Sequence, residues 1–169
     1  LIVEGNGTIF LAGAHLVQAA IGERMDSQAL GGATVQVDIS GVVDDRFPDD
    51  QSALAHIRTR IGELSRPTLA PFDRVEPREP LVVAEDILGI LPADRTKPYD
   101  MRGVLACLLD ASELTEYKAT YGRTLICGTG RIDGWAVGLV ANQRMIVHRR
   151  RGLGDGDQEM QIGGVIYSD

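Results

Sequence analysis

The sequence predicts an α/β fold, because both regular periods occur in one chain. Leu54, Ile57, Ile61 and Leu64 fall at spacings of three, four and three, which makes one apolar stripe along a helix. Val35, Val37 and Ile39 alternate with polar residues, the period of a half-buried strand over 34–39. Asp133-Gly134 separates two β-rich runs, 123–131 and 135–143. That dipeptide suits a type I′ hairpin turn, whose two central residues need positive φ.

The remaining elements follow in order. Residues 1–9 read as a strand, a Gly5-Asn6-Gly7 turn and more strand. Leu11, Leu16, Val17, Ala20 and Ile21 make the apolar face of a short helix, with Gly22 placed to end it. Asp26 and Ser27 cap a second short helix that stops at Gly31 and Gly32. The stripe helix follows the acidic residues Asp44, Asp45, Asp49 and Asp50, and Asp49, Asp50 or Ser52 serves as its N-cap. Pro67, Pro71, Pro77, Pro80, Pro92 and Pro98 then crowd one segment. Proline fixes φ and removes an N–H, so 67–98 reads as an extended linker, docked through its apolar insert 81–88. Asp100 caps a helix faced by Val104, Leu105, Leu108 and Leu109, and a second amphipathic stretch covers 114–121. Residues 148–157 are polar and glycine-rich and read as a loop, and 160–167 as a last strand.

Composition excludes several classes. With 169 residues, 44% hydrophobic and 24% charged, the chain can bury a core as one medium domain or two small ones. Its 17 basic residues against 24 acidic ones give a net charge of −7, which argues against nucleic-acid or anionic-membrane binding. Cys107 and Cys127 cannot support a disulfide framework, and three separated histidines with no CxxC motif give no expectation of a metal. The stretch 10–21 is too short and too polar to span a bilayer, and Glu4 stands where a secretory signal carries a cation. The expectation is a cytoplasmic protein. Leu1 in place of Met, and Ser168-Asp169 as a helix-capping pair with nothing after it, give the expectation of a fragment.

Local motifs carry little chemistry. Gly128-Thr129-Gly130 resembles the start of a dinucleotide fingerprint, but a strand follows where a helix N-terminus is needed, so a turn is the better reading. In 152–157 only Asp155 and Asp157 alternate as calcium ligands would, so a solvated loop is preferred. His148-Arg149-Arg150-Arg151 can grip a phosphate such as those on coenzyme A, or can be a solvated charge run or subunit contact. His15 is read as a core or surface histidine, and the acids of 44–50 as a solvated lead-in to their helix. No serine, cysteine or aspartate sits in an activating context for nucleophilic catalysis.

Two longer patterns point further. The first is Gly5-Asn6-Gly7-Thr8-Ile9-Phe10-Leu11-Ala12-Gly13, then Leu16-Val17, Ala19-Ala20, Gly22-Glu23, Ala29-Leu30-Gly31-Gly32-Ala33 and Ser40-Gly41-Val42. The second is Tyr99-Asp100-Met101-Arg102, Asp110-x-Ser112-Glu113, Glu116-Tyr117-Lys118, Tyr121-Gly122, Gly128, Arg131-Ile132, Gly134 and Val137-Gly138-Leu139-Val140-Ala141-Asn142, closed by the run from Gln161 to Asp169. In these the chain resembles the carboxyltransferase (β) subunits of biotin-dependent acyl-CoA carboxylases, the acetyl-, propionyl- and methylcrotonyl-CoA enzymes.

The resemblance implies a ClpP/crotonase-like α/β fold, seen as the end of one crotonase domain (1–66), a Pro-rich linker (67–98) and the start of a second (99–169). It implies carboxyl transfer from carboxybiotin to the α carbon of an acyl-CoA. Biotin, borne on a separate carrier, acts as the base, and glycine-rich turns stabilise two oxyanions. Hence no catalytic side chain is expected, and both oxyanion turns fall outside this chain, which is expected to be inactive by itself. The substrate-binding residues it implies are Gly13, Ala14 and His15, near the biotin and acyl pocket, together with Gly31 and Gly32. Ala14 and His15 depart from the family's Pro-containing pattern, Asp45 stands where histidine is usual, and Thr129-Gly130 replaces Phe-Ala. Implied partners are the acyl-CoA, biotin carboxylase, the biotin carboxyl carrier and further copies in a homo-oligomer. Two alternatives are the decarboxylase subunit of a biotin-dependent sodium pump and a truncated, non-catalytic scaffold paralogue. Exposed apolar surface is expected where missing parts dock.

Overall fold

The computed structural model describes residues 1–64, 72–154 and 156–168. Pro67, Pro71, Asp155 and Asp169, each part of an expectation above, lie outside the described residues. The chain divides into two units, 1–64 with 149–159 and 65–148 with 160–169.

In the first unit, β1 (Ile2–Val3) pairs in parallel with β2 (Arg46–Phe47), Ile2 opposite Arg46. Residues 4–6 turn, and Thr8 then bridges to Gly32. Helix α1 (Ala14–Ile21) starts on Gly13 and ends where Gly22 takes φ 79°, its N–H donating to the Gln18 carbonyl. A left-handed stop is what glycine permits without a Cβ penalty. Helix α2 (Ser27–Gly31) is capped by the Asp26 carboxylate, which accepts from the N–H groups of Gln28 and Ala29. Helix α3 (Asp50–Glu63) is capped by Asp49, which accepts from the Ser52 N–H at 2.7 Å.

The strand expected over 34–39 is instead a π-helical turn, Val35–Ile39, closed by the Ser40 N–H on the Val35 carbonyl. The reason is packing. Ala33 and Val37 stand four apart and bury together against Ile2 and Val43, the core of this unit. A helical turn puts both on one side, and a strand would have served Val35 and Ile39 equally. This core is small, since fully burying an Ile or Val contributes only about 1.5–3 kcal/mol. Meanwhile the α3 stripe faces outward: Leu64 is 71% exposed and Ile61 62%.

In the second unit, β4 (Leu125–Ile132) and β5 (Trp135–Asn142) form an antiparallel hairpin over its full length, Ile132 opposite Trp135. Asp133 and Gly134 take φ 50° and 77°, as the expected turn requires. Strand β3 (Thr115–Tyr117) pairs with β4 and replaces the helical reading of 114–121. The glycines of Gly128-Thr129-Gly130 lie within β4 and not in a turn. A Cβ on Gly128 would meet the Glu116 Cα at 3.1 Å, and one on Gly130 the Leu109 side chain at 2.9 Å. They let β3 and Leu109 approach the sheet.

Helix α4 (Ile87–Ile90) is a single turn within the proline-rich segment, and α5 (Met101–Ala106) is capped by Asp100. The core is Leu105, Leu109 and Ile126, flanked by Met101, Leu114, Val137, Leu139 and Ala141. Strands β6 (Ile146–Arg150) and β7 (Gln158–Ile162) form a separate two-stranded sheet. So His148, Arg149 and Arg150 lie on a strand, against the loop expected there. The last strand ends earlier than expected, because Gly164 turns at φ 79°.

Candidate functional site

Of the five residues singled out from sequence, Gly13 and Gly31 flank one side chain, Phe10, while Gly32 lies against Gln28 and Ala14 and His15 follow Gly13 on α1. The backbone of 7–10 runs beside the end of α2. The Ile9 N–H donates to the Gly31 carbonyl at 2.8 Å, and the Gln36 amide donates to the Ile9 carbonyl at 2.7 Å. The Gln28 amide reaches the Gly7 carbonyl at 3.5 Å. The Phe10 ring then touches two of the five positions. A Cβ on Gly13 would stand 3.2 Å from its Cε2, and one on Gly31 3.0 Å from its Cδ1.

Gly31 and Gly32 are buried. A Cβ on Gly31 would run into the Ile9 carbonyl, and one on Gly32 into the Gln28 side chain. The missing side chain of Gly31 therefore lets the 7–10 backbone and Phe10 come close, and that of Gly32 makes room for Gln28. Gly13, Ala14 and His15 form the opening turn of α1. Ala14 is half-buried and His15 exposed. The Gly13 carbonyl accepts from the Leu16 and Val17 N–H groups, at 2.9 and 3.1 Å. The Ala14 and His15 N–H groups, at the first two helical positions, have no carbonyl partner within the helix, so they can donate to an oxygen. His15 is the one titratable side chain of the five. Sequence reasoning missed Phe10, Gln28 and Gln36 as the residues that assemble the site. The signal available was Phe10 within the glycine-bounded run 5–13.

The other polar clusters pair mostly among themselves, although the buried Asp38 Oδ1 accepts no hydrogen bond among the described residues. Asp45 meets His56 at 3.5 Å. The Asp38 carboxylate holds Arg46 at 3.0 Å with Arg150 at 4.0 Å, and Arg151 pairs with Glu159 at 2.8 Å. Two arginines of the basic run thus already face carboxylates. The Asp157 carboxylate accepts from the Gly154 N–H, at 3.1 Å, the geometry of a closed loop.

Two buried networks organise the second unit. Gln143, 1% exposed, donates to Asp100 at 2.9 Å and accepts from the N–H groups of Met101 and Arg144. Burial pushes the Asp100 carboxyl up, but the bonds from Gln143 and Arg102 outweigh it and hold it below the usual carboxylate range. The Asp110 carboxylate accepts from the N–H groups of Asp133 and Gly134, both at 2.8 Å, and of Arg78 at 3.3 Å. Here too burial raises the pKa and the three N–H donors lower it further, so the carboxyl is ionised at neutral pH.

Comparison with known proteins bears on the whole chain. The family described as "Carboxyl transferase domain" matches residues 1–169. The mitochondrial methylcrotonoyl-CoA carboxylase beta chain of Dictyostelium discoideum is 42% identical over 146 residues, 86% of this chain and 25% of that protein. The biotin-dependent 3-methylcrotonyl-coenzyme A carboxylase beta1 subunit of Mycobacterium tuberculosis is 36% identical over 86% of this chain and 28% of its own. Among solved structures, the transcarboxylase 12S hexamer with hydrolysed methylmalonyl-coenzyme A superposes with a TM-score of 0.73 at 28% identity, over 85% of this chain and 29% of that one. The chain therefore spans between a quarter and three-tenths of these relatives' length.

Proposed function

The chain belongs to the carboxyl transferase domain family, with its crotonase-like α/β fold, and from that premise we propose that it serves as part of the carboxyltransferase subunit of a biotin-dependent acyl-CoA carboxylase. The observation that carries this reading is the family match from the first residue to the last. The boundaries 1–66, 67–98 and 99–169, a cytoplasmic location, and assembly into a homo-oligomer with biotin carboxylase and carrier components belong to the same proposal.

When bound, carboxylated biotin supplies both the transferable carboxyl group and the base. The chain's own residues would then bind and orient. The opening turn of α1 at Gly13, Ala14 and His15 presents neutral backbone donors, which fits the carbonyl oxygen of a ureido or thioester group. Phe10, held between Gly13 and Gly31, supplies an apolar wall beside it. Gly31 lets that wall come close, and Gly32 makes room for Gln28. None of these steps needs a side-chain nucleophile.

The test is carboxyl exchange. The protein isolated from its native source is incubated with free biotin and a carboxylated acyl-CoA, and loss of the carboxyl group is followed. Avidin blotting then detects biotinylated partners. Biotin-dependent loss together with a co-purifying biotinylated chain is expected. Absence of both, with malonyl-, methylmalonyl- and methylglutaconyl-CoA each tried, would overturn the reading.

A further inference from the structure

The segment 73–82 carries Pro77 and Pro80, so it forms neither helix nor strand, yet its backbone is fastened at two stations. The first is the β4–β5 turn. The Val75 N–H donates to the Gly134 carbonyl at 3.0 Å, and the Ala136 N–H to the Asp73 carbonyl at 3.1 Å. Arg74 donates to the Asp133 carboxylate at 2.8 Å, and Arg131 to the Asp73 carboxylate at 2.9 Å. The second station is the turn 110–113. Arg78 pairs with Glu113, and the Ala111 N–H donates to the Glu79 carbonyl at 3.2 Å. The Leu81 and Val82 N–H groups both donate to the Ser112 Oγ, at 2.9 and 3.2 Å, while that hydroxyl donates to the Ala106 carbonyl at 2.7 Å. Asp110 joins the two stations, since its one carboxylate accepts from Arg78 on the segment and from Asp133 and Gly134 on the turn.

Apolar burial contributes little to this attachment. Leu81 is 81% exposed, and Val75 and Val83 are about half exposed. The core residues Leu105, Leu109 and Ile126 pack without the segment. Ala111 and Ser112 both take positive φ, at 52° and 56°, which aims the Ala111 N–H and the Ser112 hydroxyl at the segment. A chain held by polar bonds over an independent core can detach without exposing that core.

We propose that 73–82 is a releasable strap, seated by the Asp110–Ser112–Glu113 turn and the β4–β5 turn, which opens as a unit while the core of the second unit stays folded. Under the carboxyltransferase reading, on which this consequence alone rests, the strap is part of the linker between two crotonase domains. Opening it frees roughly ten residues, or about 33–36 Å of extended reach.

Amide hydrogen exchange read by mass spectrometry on the intact protein tests this without any activity assay. In the unmodified protein, peptides covering 73–82 should exchange together and faster than those of β4 and β5. Ser112→Ala should speed exchange of 73–82 by about tenfold or more, since it removes bonds that hold it, with β4 and β5 unchanged, whereas Asp110→Ala, which also takes the acceptor from the β4–β5 turn, should speed 73–82 more than the strands. Arg78→Ala, at an exposed ion pair, is the milder third variant and should act in the same direction. Equal exchange of strap and strands in the unmodified protein would overturn the proposal. So would Ser112→Ala or Arg78→Ala variants that speed strap and strands together, or an Asp110→Ala protein that fails to fold.

Discussion

Gly31→Ala is the sharpest test of how the candidate site is built. The new Cβ would run into the Ile9 carbonyl and stand 3.0 Å from the Phe10 ring, and the Ile9 carbonyl is backbone that cannot rotate away. The 7–10 backbone must retreat, stretching the Ile9 N–H bond to the Gly31 carbonyl, now 2.8 Å. Overpacking of this kind costs about 1–3 kcal/mol, and a weakened hydrogen bond about 0.5–1.5 kcal/mol. The helical gain of alanine over glycine returns at most about 1 kcal/mol. The net expectation is a destabilisation of roughly 1–4 kcal/mol in the first unit. Gly62→Ala is the matched control, because a Cβ there meets nothing within 4 Å inside α3. It should stabilise by about 0.5–1 kcal/mol. Urea unfolding followed by far-UV circular dichroism reads both, since α1, α2 and α3 lie in the first unit. A Gly31→Ala midpoint equal to that of the parent, or a Gly62→Ala loss of the same size, would refute the close-approach argument.

Three further outcomes are expected. Asp26→Ala removes the acceptor for two N–H groups at the start of α2 and should cost about 0.5–2 kcal/mol by the same unfolding assay. The carboxyls of Asp110 and Asp100 lie below their ordinary value in the fold, so the stability they lend is full above pH ~3.9, the unfolded value, and is lost as pH falls through the folded values. Unfolding followed by the fluorescence of Trp135 should show that loss in the acid range, and Asp110→Ala should show a shallower one. Ile61→Lys, on the outward stripe of α3, should leave stability within about 0.5 kcal/mol while reducing binding of an apolar dye and self-association by light scattering.

What could be read in advance was local. Asp26, Asp49 and Asp100 as caps, Gly22 as a helix stop and Asp133-Gly134 as a turn each depend on a few adjacent residues, and each stands as read. What could not be read depends on partners far along the chain. Five residues of period two over 35–39 also contain a helical pair with Ala33, and burial against Ile2 and Val43 decides between them. β3 exists because β4 offers it a ladder. In the site, Gly13 to His15 and Gly31-Gly32 were reached through resemblance, whereas Phe10, Gln28 and Gln36 acquire their roles only when 7–10 folds beside α2. The proline-rich segment reads as lacking regular structure, which holds for 73–82 but not for 84–90, where a 3-10 turn and α4 form, and the N–H groups of Leu81 and Val82 find their acceptor on the Ser112 side chain some thirty residues onward.

The β4–β5 hairpin also bears on the order in which the chain folds. Its turn supplies its own geometry, and its ladder closes between neighbours in sequence, an event of about 1–10 μs in isolation. The parallel pairing of β1 with β2 joins Ile2 to Arg46, about 44 positions apart, and must wait for that loop to close. The expectation is that the hairpin closes before the β1–β2 pairing, although β1 comes first in the chain. A nascent chain that has not yet reached the hairpin also lacks 149–159, so its first unit is still incomplete.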